Sequence, residues 1–139
     1  MDLDVSKSVL VVDDSSTMAR LVCGMLNQIG FQNIDTAQGG NTALVKLEAN
    51  RRDLLISDWN MEPMSGLDLL LALRSDPTYD DMLFIMMTTT AATNKVVEAR
   101  VAGANNYILK PFDVVTLKAK IMAVFAEKTE RALARARPA

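Results

Sequence analysis

Four short apolar runs in this 139-residue chain each end on a reactive polar residue, and that pairing restricts the fold more than any other feature. Val9-Leu-Val-Val12 leads into Asp13 and Asp14, and Leu54-Leu-Ile-Ser57 leads into Asp58. Phe84-Ile-Met-Met87 leads into Thr88, and Tyr107-Ile-Leu109 into Lys110 and Pro111. Continuous apolar residues, as opposed to apolar–polar alternation, mark strands buried on both faces, so the sheet is parallel and covered by helices. Between the runs the spacing becomes helical. Met18, Leu21, Val22, Met25, Leu26 and Ile29 recur at helical intervals before Gly30 closes the segment. A short second strand at 33–37 precedes Gly39-Gly40 and a helix carrying Ala43, Leu44 and Leu47, and a third strand covers 53–58.

Ser65 is placed to cap the next helix, with Asp68 at the capping-box position. In that helix Leu67, Leu70 and Leu71 are expected to face inward. Leu69 and Leu73 lie one turn apart beside them and either widen the buried stripe, the favoured reading, or form an exposed contact. A fourth strand covers 83–88, a helix passes through Val97, Val101 and Ala104, and a fifth strand covers 106–110. Asp113 caps a last helix whose Leu117, Ile121 and Val124 face inward. Five alternating strand–helix units predict an α/β fold, a doubly wound five-stranded parallel sheet with helices on both faces. In such folds the binding crevice lies beyond the carboxyl ends of the strands, where the polar residues of the four runs converge.

Size and composition narrow the function classes. One domain accounts for the length, with no second domain expected after the fifth helix, hence no DNA-binding domain. A net charge of -2 gives no case for nucleic acid or an acidic membrane surface as main partner. The acidic start Met-Asp-Leu-Asp-Val lacks the basic segment of a signal peptide, and no apolar run approaches the ~20 residues of a membrane span. Cys23 is the only cysteine, which excludes an internal disulfide and fits a reducing, cytoplasmic location; on a helix it reads as a small core filler. There is no histidine, so chemistry needing an imidazole must borrow one from another protein.

Asp13 and Asp14 end one strand, and Asp58 ends what should be its neighbour. Carboxylates crowded in this way repel unless something positive sits among them. Mg²⁺ suits the set, because it accepts one or two carboxylates, keeps several waters and then takes a phosphoryl oxygen. No twelve-residue calcium loop is present, and zinc is disfavoured without histidines or paired cysteines. Lys110 adds a mobile point charge for a phosphate oxygen, and Thr88 a hydroxyl at the same edge. Among the carboxylates Asp58, single and central, is the better nucleophile, while Asp13 and Asp14 form the natural metal pair. Any one such Asp could merely form a turn; four polar residues at four strand ends in consistent order are not explained that way.

These residues resemble the response-regulator receiver family, and within it the stand-alone chemotaxis type. The resemblance covers about residues 7–127 and rests on Leu10-Val-Val-Asp-Asp-Ser-Ser-Thr-Met18, Ile56-Ser-Asp-Trp-Asn-Met61, Met64 with Gly66, Thr88, and Tyr107-Ile-Leu-Lys-Pro-Phe112. It implies strand order 2-1-3-4-5. It also implies that Asp58 accepts a phosphoryl group from a phosphohistidine on a histidine kinase or histidine phosphotransfer protein. Asp13 and Asp14 would hold Mg²⁺ with Asp58 and the backbone carbonyl of Asn60. Lys110 would pair with the phosphoryl group and Pro111 would be cis. Thr88 would be the switch hydroxyl and Tyr107 the aromatic that turns inward. The implied activity is a signalling switch that assists its own phosphoryl transfer and dephosphorylation, not an enzyme, with a flagellar motor component, a kinase or a phosphotransfer protein as output. Two departures stand out. Glu62 precedes Pro63 where the family usually reads Met-Pro, so the proline is moved by one residue. Thr89 replaces the usual Ala or Gly and should crowd the phosphoryl group.

Residues 128–139 form an Arg-rich C-terminal extension, rich in helix formers until Pro138. Arg131 and Arg135 share a helix face, with Arg137 nearby. One reading is a solvated, fraying helix end whose arginines answer the helix dipole. The other is a nucleotide site, since some single-domain regulators of this family bind cyclic di-GMP through arginine-rich C-terminal segments. A phosphatase and a flavodoxin fit less well. Haloacid-dehalogenase-type phosphatases place Asp-x-Asp at the first strand, whereas here the third strand carries Asp58 with Asn at 60. A flavodoxin needs a phosphate-cradling loop where this chain has acids.

Overall fold

The computed structural model describes residues 3–136. Five strands, β1 (Val9–Val12), β2 (Ile34–Ala37), β3 (Leu54–Asp58), β4 (Leu83–Thr88) and β5 (Asn106–Leu109), alternate with five helices. These are α1 (Ser16–Ile29), α2 (Gly40–Ala49), α3 (Gly66–Arg74), α4 (Thr93–Ala102) and α5 (Val114–Ala136), with a short 3-10 turn at Pro77–Tyr79. All strand pairs are parallel, in the order β2-β1-β3-β4-β5.

The continuous apolar strands explain the double winding. Because side chains alternate across a strand, β1, β3 and β4 feed two separate cores. Val9, Val11, Leu54, Ile56, Leu83 and Ile85 pack with Val22, Leu26, Leu117, Ile121 and Val124 of α1 and α5. Leu10, Val12, Leu55, Phe84 and Met86 face the other way, onto Ala43, Leu47, Leu69, Leu70, Leu73 and Ala99 of α2, α3 and α4.

Local signals set the helix ends. Ser15 accepts a hydrogen bond from Met18 N at 3.2 Å, and α1 stops at Gly30, whose φ of 125° is open to glycine at little cost. Ser65 and Asp68 form a reciprocal capping box on α3, and Asp113 Oδ1 accepts from Thr116 N at 2.8 Å at the start of α5. The Glu62-Pro63 and Lys110-Pro111 peptide bonds are both cis.

Several apolar residues lie elsewhere than their spacing suggests. Leu69 and Leu73 are buried and widen the α3 stripe, but Leu71 is exposed and Leu67 only half-buried. Leu21 lies outside the buried stripe of α1. Helix α4 ends at Ala102, before Ala104, and exposes both Val97 and Val101, burying Ala99 alone among its residues. The cause is geometric: a short helix over a sheet covers the core with a narrow face, and small residues such as Ala99 allow the closest approach.

Candidate functional site

The sheet ladder carries each polar residue to one edge. Asp58 closes β3 opposite Met87 of β4, and Thr88 pairs with Leu109 of β5. The ladder extends into the loops: Asp13 N donates to Ala37 O, Trp59 N to Met87 O, and Lys110 N to Thr88 O at 2.7 Å. The side chains of Asp13, Asp14, Asp58, Thr88 and Lys110 therefore emerge at the carboxyl ends of β1, β3, β4 and β5.

Asp13, Asp14 and Asp58 each offer an oxygen, and these oxygens lie within 4.8 Å of one another. Asp13 is 1% exposed and Asp58 8%, whereas Asp14 faces solvent. Lys110 Nζ donates to Asp58 Oδ1 at 3.0 Å and to Asp13 Oδ2 at 3.4 Å. Asp13 is aimed by its second oxygen, which accepts from Ser15 N at 2.9 Å. Burial raises the Asp13 carboxyl above its ordinary value of 3.8, and the nearby Asp58 adds to that; the Ser15 N–H and the Lys110 ammonium pull the other way. A single ammonium does not neutralise three carboxylates. The donor set is all oxygen and partly open to water, which fits a hard divalent cation such as Mg²⁺. Asn60 and Asp14 line one hollow with Trp59, Met61, Glu62 and Ser65, so Asn60 lies beside the solvent-facing member of the acidic cluster.

The remaining residues divide into near and far. Thr88 Oγ1 accepts from Thr90 N at 3.2 Å, so the hydroxyl is engaged by its own loop. Thr89 is exposed beside it. Tyr107 is half-buried on β5, with Lys120 Nζ 4.6 Å from its ring centroid. Arg131 and Arg135 lie far from this edge, on the last turns of α5. There they line a cleft of about 330 Å³ with Arg74, Lys128, Asp80 and Asp81, near Leu83 at the amino end of β4. Arg137 lies outside the described residues.

Two supports escaped the reading of residue types. Gly66 opens α3 against the end of β3: a Cβ there would collide with Asp58 O and fall 2.9 Å from Met86 Sδ. Only the Met64–Gly66 spacing hinted at it. Lys95 of α4 stands 5.2 Å from the Trp59 ring centroid, tying the loop after Asp58 to the start of α4. No local signal announces that contact, because it joins a loop and a distant helix by fold alone.

The response regulator receiver domain family matches residues 9–122. Among curated proteins, the chain is 42% identical over 117 residues to the chemotaxis protein CheY of Pseudomonas aeruginosa, covering 84% of this chain and 94% of that protein. It is 41% identical over 123 residues to CheY-3 of Vibrio cholerae, covering 88% and 95%. Among solved structures, the chemotaxis response regulator CheY4 of Vibrio cholerae superposes with a TM-score of 0.80 at 34% identity, covering 86% of this chain and 98% of that one.

Proposed function

Because the chain belongs to the response regulator receiver family, we propose that it is a stand-alone, phosphorylation-controlled binding switch of a chemotaxis or flagellar motility pathway, working in the cytoplasm. The observation that carries this reading is Asp58, a nearly buried carboxylate held between the Lys110 ammonium at 3.0 Å and an acidic cluster spaced for a cation. An Asp58 oxygen attacks the phosphorus of a phosphohistidine on a histidine kinase or phosphotransfer protein. The P–N bond breaks, and the leaving imidazole keeps the electron pair and takes up a proton. Asp13, Asp14 and Asp58, with the Asn60 carbonyl, would hold Mg²⁺, which would supply Lewis-acid neutralisation of the phosphoryl oxygens. Lys110 turns from the carboxylates to a phosphoryl oxygen, a charge-assisted contact.

The signal then leaves through Thr88. Its hydroxyl exchanges the Thr90 contact for the phosphoryl group, Tyr107 moves into the vacated space, and the surface of α4, β5 and α5 changes its affinity for an output protein. That surface already carries Val97, Val101 and Leu109 exposed. Among the described residues no helix is long and apolar enough to cross a membrane. A switch, unlike a phosphatase, takes up one phosphoryl group per chain. With acetyl phosphate and Mg²⁺ the expected result is stoichiometric labelling without sustained turnover of a generic phosphate ester; continuous turnover of such an ester would favour an aspartyl-phosphate phosphatase.

A second reading rests on the cleft holding Arg131 and Arg135 beside Arg74 and Lys128. Four cations, Arg74, Lys128, Arg131 and Arg135, face two acids, Asp80 and Asp81, across the cleft; burial lowers the Arg74 pKa, with Asp80 opposing that and Arg131 adding to it. Cyclic di-GMP would place phosphates and guanine edges against these arginines. Calorimetry with cyclic di-GMP tests it against a variant in which Arg131, Arg135 and Arg137 are all changed to Ala. Heat in the unmodified protein alone supports the reading, and absence of heat ends it.

A further inference from the structure

Tyr107 lies opposite Met86 in the β4–β5 ladder, so its ring belongs to the face of the sheet that carries Met86 and, two residues on, Thr88. The next residue, Ile108, turns to the opposite face, where Leu117, Ile121 and Val124 of α5 pack. Helix α5 nevertheless reaches the ring. Strand β5 ends the sheet, and Lys120, next to the buried Ile121, extends around that edge to set its Nζ 4.6 Å from the Tyr107 ring centroid. A cation over an aromatic face is attracted by the negative pole of the ring, and this ring is only half-buried. Among the described residues Lys120 makes no ion pair. Lys95, the lysine over Trp59, differs in having Glu98 Oε1 at 3.9 Å as a second partner.

We propose that Lys120 is a positioning residue of the switch: its ammonium holds the Tyr107 ring at the outer edge of the sheet and so sets how readily the modified site at Asp58 can draw the ring inward. This inference rests on the reading of Tyr107 as the aromatic that moves when Thr88 turns to the phosphoryl group. Thr88 stands one strand inward, on β4, on the same face as the ring. A ring that moves towards Thr88 therefore moves away from the edge and from Lys120. The contact exists in one state and is broken in the other, and only a contact of that kind biases an equilibrium. Linkage makes the effect reciprocal: whatever favours the inward ring binds more weakly while Lys120 holds the ring outside. Charge is what the ring feels, whereas the lysine stem only covers apolar surface, so a methionine of similar length separates the two roles.

Beryllofluoride, an analogue of the phosphoryl group, reads this bias without an output partner. The full chain is titrated with it in saturating Mg²⁺, and the bound ion is followed by fluorine NMR. Lys120→Met should bind it about two- to fivefold more tightly than the parent, the factor a partly exposed cation–ring contact is worth. Lys120→Arg, which keeps a cation over the ring, should return the affinity to that of the parent. In a Tyr107→Leu background, adding Lys120→Met should change nothing. A plain loss of positive charge would act the other way, weakening capture of this anion in both backgrounds. Unchanged or weaker binding by Lys120→Met, or an equal gain in the Tyr107→Leu background, overturns the role of Lys120 while leaving Asp58 as the phosphoacceptor. No binding by the parent protein would remove the reading of Asp58 and this inference with it.

Discussion

Lys110 reaches across 52 residues of chain to hold its ammonium 3.0 Å from the Asp58 carboxylate. Both side chains are largely buried, at 13% and 12% exposure. The pair is a resting-state contact that incoming phosphoryl oxygens would take over. Removing the lysine leaves Asp58 and Asp13 uncompensated in a poorly solvated site. Lys110→Ala should therefore lower the unfolding free energy by about 3 kcal/mol in EDTA, with Mg²⁺ restoring part of the loss. Urea denaturation with and without Mg²⁺ measures this, and equal stability of the two proteins in EDTA would contradict it.

Asp13 adds one pH-dependent contribution to the stability of the metal-free protein. Its folded-state pKa is raised above 3.8, chiefly by burial, so the folded chain holds this proton more tightly than the unfolded one. The contribution to stability is fully present below the unfolded value and is lost as pH rises through the folded value. Asp13→Asn removes that loss and should stabilise the metal-free protein by about 1 kcal/mol near neutral pH. The advantage should vanish in acid below the ordinary carboxylate range, and added Mg²⁺ should stabilise the parent more than the variant. Urea midpoints across pH in EDTA are the measurement.

The strands and the polar residues at their carboxyl ends were legible in the chain because burial on both faces demands unbroken apolar runs, and β3 and β4 are buried at every position. Their convergence followed from the fold class, since a parallel sheet brings all carboxyl ends to one edge. Helix orientation was less legible. Val97 and Val101 mark a helix in the sequence without saying which face is buried, and α4 packs through Ala99 and leaves both valines outside. Hydrophobic identity alone does not choose among the faces of a short helix when a small residue can sit closest to the sheet. Contacts between segments distant in the chain, such as Lys95 with Trp59, depend on the assembled fold and leave no local pattern.

Gly66 illustrates a constraint seen only in three dimensions. Its α-carbon is so close to the Asp58 carbonyl and to Met86 Sδ that a methyl group cannot enter without moving the end of β3 or the start of α3. Gly66→Ala should cost about 3 kcal/mol, the upper end of ordinary overpacking, and should slow acetyl-phosphate labelling of Asp58. Wild-type stability and labelling rate in this variant would show that the loop relaxes freely.

Thr88 and Thr89 should separate signal from lifetime. Thr88→Ala retains Asp58, Lys110 and the acidic cluster, so labelling persists, but without the hydroxyl the phosphorylated protein should not gain affinity for its output partner. A swing from 1:99 to 99:1 between states requires about 5.5 kcal/mol of preference, and loss of one such hydrogen bond removes a sizeable share. Thr89→Ala opens the rim to water and should shorten the phosphoryl lifetime severalfold. Binding measured with and without beryllofluoride tests the first, and decay of the phosphorylated species tests the second; equal lifetimes would rule out a crowding role for Thr89.

The most direct test is the intact mass of the protein after incubation with acetyl phosphate and Mg²⁺. A single adduct of about 80 Da is expected, one phosphoryl group per chain, lost when EDTA replaces Mg²⁺ during labelling and absent from Asp58→Ala. No adduct on the parent protein, or the same adduct on Asp58→Ala, would contradict the assignment of Asp58 as phosphoacceptor.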